Sequence, residues 1–159
     1  MLNPPRVIYL MRHGEKPTSA ADRNLSPAGI ARADQLPGYV PTLLEGRPLD
    51  YIFAAEDSKV SDRPVETATP LANALGLPIN QSFANHDYRS LAEAILSNEI
   101  YAGKAILIVW HHTRIPALCG ALGAEKVPGE WPGTVFNLVW KITYEPDGRA
   151  SVQQITEPF

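Results

Sequence analysis

The chain has 159 residues and a single cysteine, Cys119, so no internal disulfide can hold the fold and nothing in it calls for an oxidising compartment. Charge of either sign is modest: 14 Lys and Arg against 17 Asp and Glu give a formal net charge of −3. No basic run or basic amphipathic stretch interrupts this mild acidity, which argues against nucleic acid or a membrane surface as partner. Long apolar stretches are missing too. The longest, Ala105 to Trp110, is far short of the roughly 20 residues that a membrane helix needs. The opening Met1-Leu2-Asn3-Pro4-Pro5-Arg6 has no basic segment leading into an apolar one, so no signal peptide is read there. What remains is ordinary globular composition, 45% hydrophobic and 19% charged. The expectation is a soluble, cytoplasmic, single domain over residues 1–159.

The order of elements points to an α/β fold. Arg6 to Met11 is a β-branched and aliphatic run ended by Arg-His-Gly, as a buried strand followed by a tight turn would be. Ser26 and Pro27 open a helix as N-cap and first residue, with Ile30, Ala33 and Leu36 as its apolar stripe and Pro37 as its end. Leu49 to Ala55 reads as a strand. A helix runs from Pro64 to Gly76 on Ala68, Leu71, Ala72 and Leu75. Leu77 to Ser82 is a marginal strand, and Leu91 to Leu96 is the apolar side of a helix ending near Gly103. Ala105 to Trp110 is continuously apolar, as a central parallel strand covered on both faces should be. Ile115 to Leu122 reads as a helix closed by Gly123. Val135 to Tyr144 and Ala150 to Thr156 form two strands joined at Pro146-Asp147-Gly148. The predicted architecture is a three-layer α/β/α sandwich with a mostly parallel central sheet and a C-terminal β-hairpin. Ligands of such sheets bind beyond the carboxyl ends of the strands, here after Met11, Ala55 and Trp110.

Those places carry Arg12-His13, Arg63 and His111-His112. A neutral imidazole is a nucleophile near pH 7 and can accept a phosphoryl group as phosphohistidine. A guanidinium keeps its charge and donates paired hydrogen bonds to phosphate oxygens, so two of them suit the non-bridging oxygens of a transferring phosphoryl group. Arg63 would sit near a helix start, where the dipole disfavours it, and that misfit favours a functional role.

The stretch Leu10-Met11-Arg12-His13-Gly14-Glu15 resembles the Arg-His-Gly signature of the histidine phosphatase superfamily, also called phosphoglycerate-mutase-like. In the same order, Leu25 to Gly29 resembles its helix-opening segment and Arg63 to Ala68 the segment bearing its second arginine. Ile108 to Pro116 is similar to the segment bearing its second histidine. The small size suggests a single-domain member resembling phosphohistidine phosphatases. The resemblance implies His13 as the phosphorylated nucleophile, Arg12 and Arg63 as phosphate clamps, and His111 as a donor to the transferring group. Gly14 would leave room for substrate. No cofactor and no metal are implied. The substrate would be a small phosphorylated molecule or a phosphorylated protein. The sequence departs from the pattern in two places. His112 follows the second histidine, where the family has a small or polar residue, and the family's acidic proton donor has no clear counterpart in Phe83 to Tyr88. Asn85 aligns there by position, which leaves Asp87 and Glu15 as candidate donors.

Blander readings apply to the remaining residues. His111 and His112 invite a metal site with Glu15 or His13, but adjacent side chains on an extended segment point in opposite directions. His112 is a rim residue and candidate substrate contact, and Lys16 and Arg114 could attract an anion at the pocket mouth. His86 reads as a solvated loop residue, Trp110 and Trp140 as core, Trp131 as a plug over the sheet edge, and Cys119 as inert and buried. The expected activity is metal-independent hydrolysis of a phosphomonoester or phosphoramidate through phosphohistidine at His13. Two alternatives stand beside it: a mutase-type return of the phosphoryl group, for which short connections leave little material for a lid, and a catalytically weak phosphate- or phosphopeptide-binding module. Oligomeric state is not legible.

Overall fold

Two apolar runs, Val7–Arg12 (β1) and Ala105–Trp110 (β4), lie side by side as parallel strands at the centre of the sheet, and every residue in both is buried. The computed structural model describes residues 3–159, so Met1 and Leu2 of the opening stretch lie outside the described residues. Around β1 and β4 the chain adds α1 (Pro27–Leu43), β2 (Tyr51–Ala54), α2 (Arg63–Leu75), β3 (Ile79–Asn80), α3 (Tyr88–Ser97), α4 (Ile115–Ala121), β5 (Leu138–Tyr144) and β6 (Ala150–Thr156). The sheet has six strands in the order β3-β2-β4-β1-β5-β6. The pairs among β1 to β4 are parallel, and the β5–β6 hairpin joins β1 through an antiparallel pair.

Alternate side chains of the central strands serve opposite faces, as strand geometry requires. Ile8 and Leu10 of β1 and Ile106, Ile108 and Trp110 of β4 pack with Leu91 and Ile95 of α3 and Leu118 and Cys119 of α4. Val7, Tyr9, Met11, Leu107 and Val109 pack with Leu36 and Val40 of α1 and Ala68 and Leu71 of α2. This is the three-layer sandwich expected. Trp131 is a core plug: it packs at 5.1 Å on Trp140, and its Nε1–H donates to the Val135 carbonyl at 2.8 Å. Cys119 is buried, and burial pushes its thiol up to about 12.

Three expectations are corrected. The first helix does not end at Pro37 but runs through Pro37 and Pro41 to Leu43. A proline inside a helix costs about 3 kcal/mol. Val40 and the capping residue Leu44, buried on the same stripe as Ala33 and Leu36, each return about 1.5–3 kcal/mol, which is of comparable size. The Tyr9 hydroxyl also satisfies the Leu43 carbonyl at 2.8 Å. Ile30, read as part of the stripe, is instead 52% exposed. The strand expected from Val135 begins only at Leu138, because the carbonyls of Gly133 and Val135 are turned to Arg12 rather than to a neighbouring strand.

Boundaries elsewhere move by a few residues. The Ser26 side chain caps α1, accepting from Gly29 N–H at 3.1 Å, and Gly76 ends α2 in the left-handed region at φ 66°. The turn after β1 rests directly on the first turn of α1. A Cβ on Gly29 would lie 2.6 Å from the Glu15 carbonyl oxygen and 2.9 Å from its nitrogen, and one on Gly14 would lie 2.9 Å from the Gly29 oxygen. Only glycine at both places allows this backbone-to-backbone seat. Gly29→Ala is expected to destabilise the protein by about 1–3 kcal/mol, read as a lower urea midpoint at unchanged denaturant slope.

Candidate active site

The strand order puts β2, β4 and β1 side by side, so the chain segments leaving their carboxyl ends converge. Arg12 is the last residue of β1 and is 2% exposed; His13 follows it and is fully buried. His111 follows β4, and its ring centroid is 5.2 Å from that of His13 in an edge-on arrangement. Arg63 is the first residue of α2 and is also buried.

Arg12, Arg63 and His13 are held by backbone carbonyls. Arg12 Nη1 donates to the carbonyls of Gly133 at 2.8 Å and Val135 at 3.0 Å, and its guanidinium carbon stands 3.8 Å from the centre of the Phe136 ring. Arg63 Nη1 donates to the carbonyl of Asp22 at 2.9 Å, with that of Asn24 at 3.4 Å. His13 Nδ1 lies 2.7 Å from the Gly14 carbonyl. A carbonyl only accepts, so Nδ1 carries the proton and Nε2 keeps the lone pair. Among the described residues three buried side-chain nitrogens have no hydrogen-bond partner: Nε of Arg12, Nε of Arg63 and Nε2 of His13.

The electrostatics follow from this crowding. Burial, then His111, Arg12 and Arg63, drive the His13 pKa down to about 2, against the pull of the Gly14 carbonyl. Burial and the neighbouring cations Arg63 and Lys16 lower His111 to about 4. Arg12 falls to about 10, mainly by burial, and stays charged at neutral pH. Both imidazoles are therefore neutral at pH 7, beside two guanidiniums that are not.

The remaining candidates are unequally placed. Gly14 is buried, and its N–H donates to Thr67 Oγ1 at 2.9 Å. Lys16 is exposed; with Thr18, Ser19, Asp22 and Arg63 it lines a depression of about 270 Å³, and its pKa is lowered by burial, Arg12 and Arg63. His112 is half-buried and lines a second depression of about 320 Å³ with Thr113, Pro116, Glu130, Trp131 and Gly133. Arg114 is exposed, 5.9 Å from the Tyr88 ring. Asp87 is exposed next to His86, at 3.5 Å, in the turn whose Asn85 carbonyl accepts from Trp110 Nε1 at 3.2 Å. Glu15 is not free: both carboxylate oxygens are taken by Arg32, at 2.9 and 3.0 Å. His86 is exposed, as expected. Among the described residues no three His, Cys, Asp or Glu side chains converge as metal ligands would.

Sequence reading missed Thr67, Phe136 and Arg32. Thr67 stood inside the quoted Arg63 to Ala68 segment, and its spacing from Arg63 matches the 2.7 Å bond from its hydroxyl to the Arg63 carbonyl. Arg32 follows Gly29 by one helical turn, a spacing that signals a shared face. Phe136 carried no signal.

No protein-family model matches the chain, and no curated protein matches its sequence. Solved structures do match. The protein histidine phosphatase SixA, solved with tungstate, superposes with a TM-score of 0.63 at 15% identity, over 94% of this chain and 96% of that one. A mycobacterial glucosyl-3-phosphoglycerate phosphatase gives 0.66 at 15%, over 96% and 99%. A phosphoglycerate mutase from Plasmodium falciparum gives 0.63 at 16%, over 96% and 91%. The chain has the histidine phosphatase fold.

On this histidine phosphatase fold, a buried neutral His13 should show ring nitrogen resonances that do not titrate between pH 5 and 8. Nitrogen-15 spectra of histidine-labelled protein check this, and a midpoint near the ordinary 6.5 would contradict the structure.

Proposed function

We propose that the protein is a phosphatase of the histidine phosphatase type, hydrolysing a phosphomonoester or phosphoramidate through a phosphohistidine at His13. The observation that carries this reading is the set of unpartnered buried nitrogens. His13 is locked by Gly14 into the tautomer with its lone pair on Nε2, beside two guanidiniums that each keep a buried Nε–H unpaired. A tetrahedral oxyanion supplies the acceptors those N–H groups need, and its phosphorus supplies the electrophile for Nε2.

In the first step Nε2 attacks phosphorus, the P–N bond forms, and the bond to the leaving oxygen or nitrogen breaks with its electron pair on the leaving group. Arg12 and Arg63 neutralise the non-bridging oxygens, and His111, a neutral imidazole, donates an N–H to one of them. In the second step water attacks the phosphohistidine, the P–N bond breaks, and inorganic phosphate leaves. Of the two candidate donors for the leaving group Asp87 is assigned the role, because both Glu15 oxygens are engaged by Arg32. Lys16, His112 and Arg114 are assigned to substrate binding at the rims, with Gly14 beside the nucleophile.

The activities of the structural neighbours, protein histidine phosphatase and glucosyl-3-phosphoglycerate phosphatase among them, support this class. A phosphorylated protein or a small phosphate ester are both compatible with it. Hydrolysis is preferred to a mutase reaction, which must shield its intermediate from water. The reading also places the protein in the cytoplasm.

His13→Ala is expected to abolish turnover of p-nitrophenyl phosphate and acid-labile phosphate incorporation while leaving the melting transition intact. Arg63→Ala is expected to lower kcat/KM by about 10²–10³-fold, the loss typical of one charge-stabilising donor. Turnover retained in His13→Ala defeats the mechanism. Phosphate affinity without turnover or label in the unaltered protein indicates a binding module.

A further inference from the structure

Arg32 occupies a place that the phosphate chemistry alone does not explain. It projects from α1 one turn beyond Gly29, the residue on which the His13-bearing loop rests. Its Nε and Nη2 grip both oxygens of Glu15, at 2.9 and 3.0 Å, and its Nη1 reaches Glu157 Oε1 at 2.8 Å and the Phe159 carbonyl at 2.7 Å. Glu157 lies beyond β6 and is 4% exposed; Arg32 is the partner of its side chain. Its own N–H donates to the Asn137 carbonyl at 2.7 Å, next to Phe136, on which Arg12 stacks. One buried carboxylate thus touches both restraints of the site: the loop of His13 through Arg32 and Glu15, and the 133–137 segment of Arg12 through the backbone.

We propose that Glu157 is a positioning residue for phosphoryl transfer, acting through Arg32 to fix the Glu15 end of the loop that carries His13. The role rests on the proposed phosphatase reaction, but the geometry it predicts at His13 is readable without turnover. A guanidinium between two carboxylates is held in two directions at once, so Glu15 can swing only by leaving Arg32 or by drawing Arg32 away from Glu157. Glu15 follows His13 by two residues, and the Gly14 carbonyl that selects the His13 tautomer lies between them.

The charge is costly where it stands. Arg32 and Tyr39 face Glu157 from α1 and Glu15 faces it from the loop. Burial, aided by Glu15, raises its carboxyl to about 7 against the attraction of Arg32. A carboxyl raised in the folded state from about 4.5 to about 7 binds more protons folded than unfolded in that window. Stability from this group is therefore complete below about pH 4.5 and is lost as pH rises to about 7. Above about pH 7, where the carboxyl ionises, a buried carboxylate is a weak source of stability, which points to positioning as its use.

The test separates the two roles. Glu157→Gln keeps the shape and removes the charge. At pH 8 this variant is expected to melt no lower than the unaltered protein, with a flatter stability profile between pH 5 and 7. Its kcat on p-nitrophenyl phosphate is expected to fall about 10-fold at little-changed KM, the size of loss that a small misplacement of a nucleophile produces. Arg32→Lys, which keeps the charge without the fork, is expected to lose as much, and adding Glu157→Gln to it is expected to cost little more. The nitrogen-15 signals of His13 in Glu157→Gln should move from the single Nδ1–H tautomer toward a mixture. Unchanged kcat with unchanged His13 signals overturns the proposal, as does a loss of activity that tracks a loss of stability. If the unaltered protein hydrolyses no phosphate ester, the phosphatase reading fails, and the His13 signals alone decide the positioning.

Discussion

Charge taken out of water is the constraint on which this molecule is arranged. Arg12 and Arg63 are buried at the edge of a continuous apolar core, and removing an ion from water costs several kcal/mol even after relaxation. Among the described residues neither has a carboxylate at ion-pair distance. Backbone carbonyls and the face of Phe136 hold them instead. The difference matters, because a carbonyl orients a guanidinium without cancelling its charge, whereas a carboxylate would orient it and also compete with an incoming anion. The 133–137 segment gives up its strand ladder to provide those carbonyls, and for that reason β5 starts late.

The same desolvation makes the imidazoles useful. Burial and the surrounding cations disfavour imidazolium at His13 and His111, so the two rings stay neutral across the physiological range. The Gly14 carbonyl then selects which nitrogen of His13 keeps its lone pair. That carbonyl is placed by the seat of the loop on α1, where Gly14 and Gly29 meet backbone to backbone, and by Thr67, which accepts from Gly14 N–H while donating to the Arg63 carbonyl. The loop bearing His13 and the helix bearing Arg63 are joined through one hydroxyl.

What could be read from the sequence was what single residues dictate. The unbroken apolar run of β4, the Ser26 cap and the left-handed Gly76 are local features with local causes, and they lie where the residues require. Arg12, His13, Arg63 and His111 were legible because parallel strands deliver their following residues to one edge, whatever else the sheet does. Features that depend on a partner distant in sequence were not. The passage of α1 through Pro37 and Pro41 depends on Val40 and Leu44 finding the core. Nothing in Gly133-Thr134-Val135 announces that Arg12 will claim two of its carbonyls. Glu15 reads as a spare carboxylate near His13 because its partner, Arg32, sits on the next helix.

The net charge of −3 takes on meaning from the way the charges are sorted. Glu15 is the acid closest in sequence to His13, and left free it would oppose the anion that the proposed reaction brings there. Arg32 draws it toward α1 and holds it there by both oxygens, with Glu157 on the far side balancing the guanidinium. An arginine with two acidic partners is close to neutral or negative as a cluster, so it adds nothing positive that would draw phosphate away from Arg12 and Arg63. The acidic total is thus compatible with an anion site because the carboxylate nearest the site is paired out of it, and that pairing depends on a charge which the fold must stabilise in a buried place.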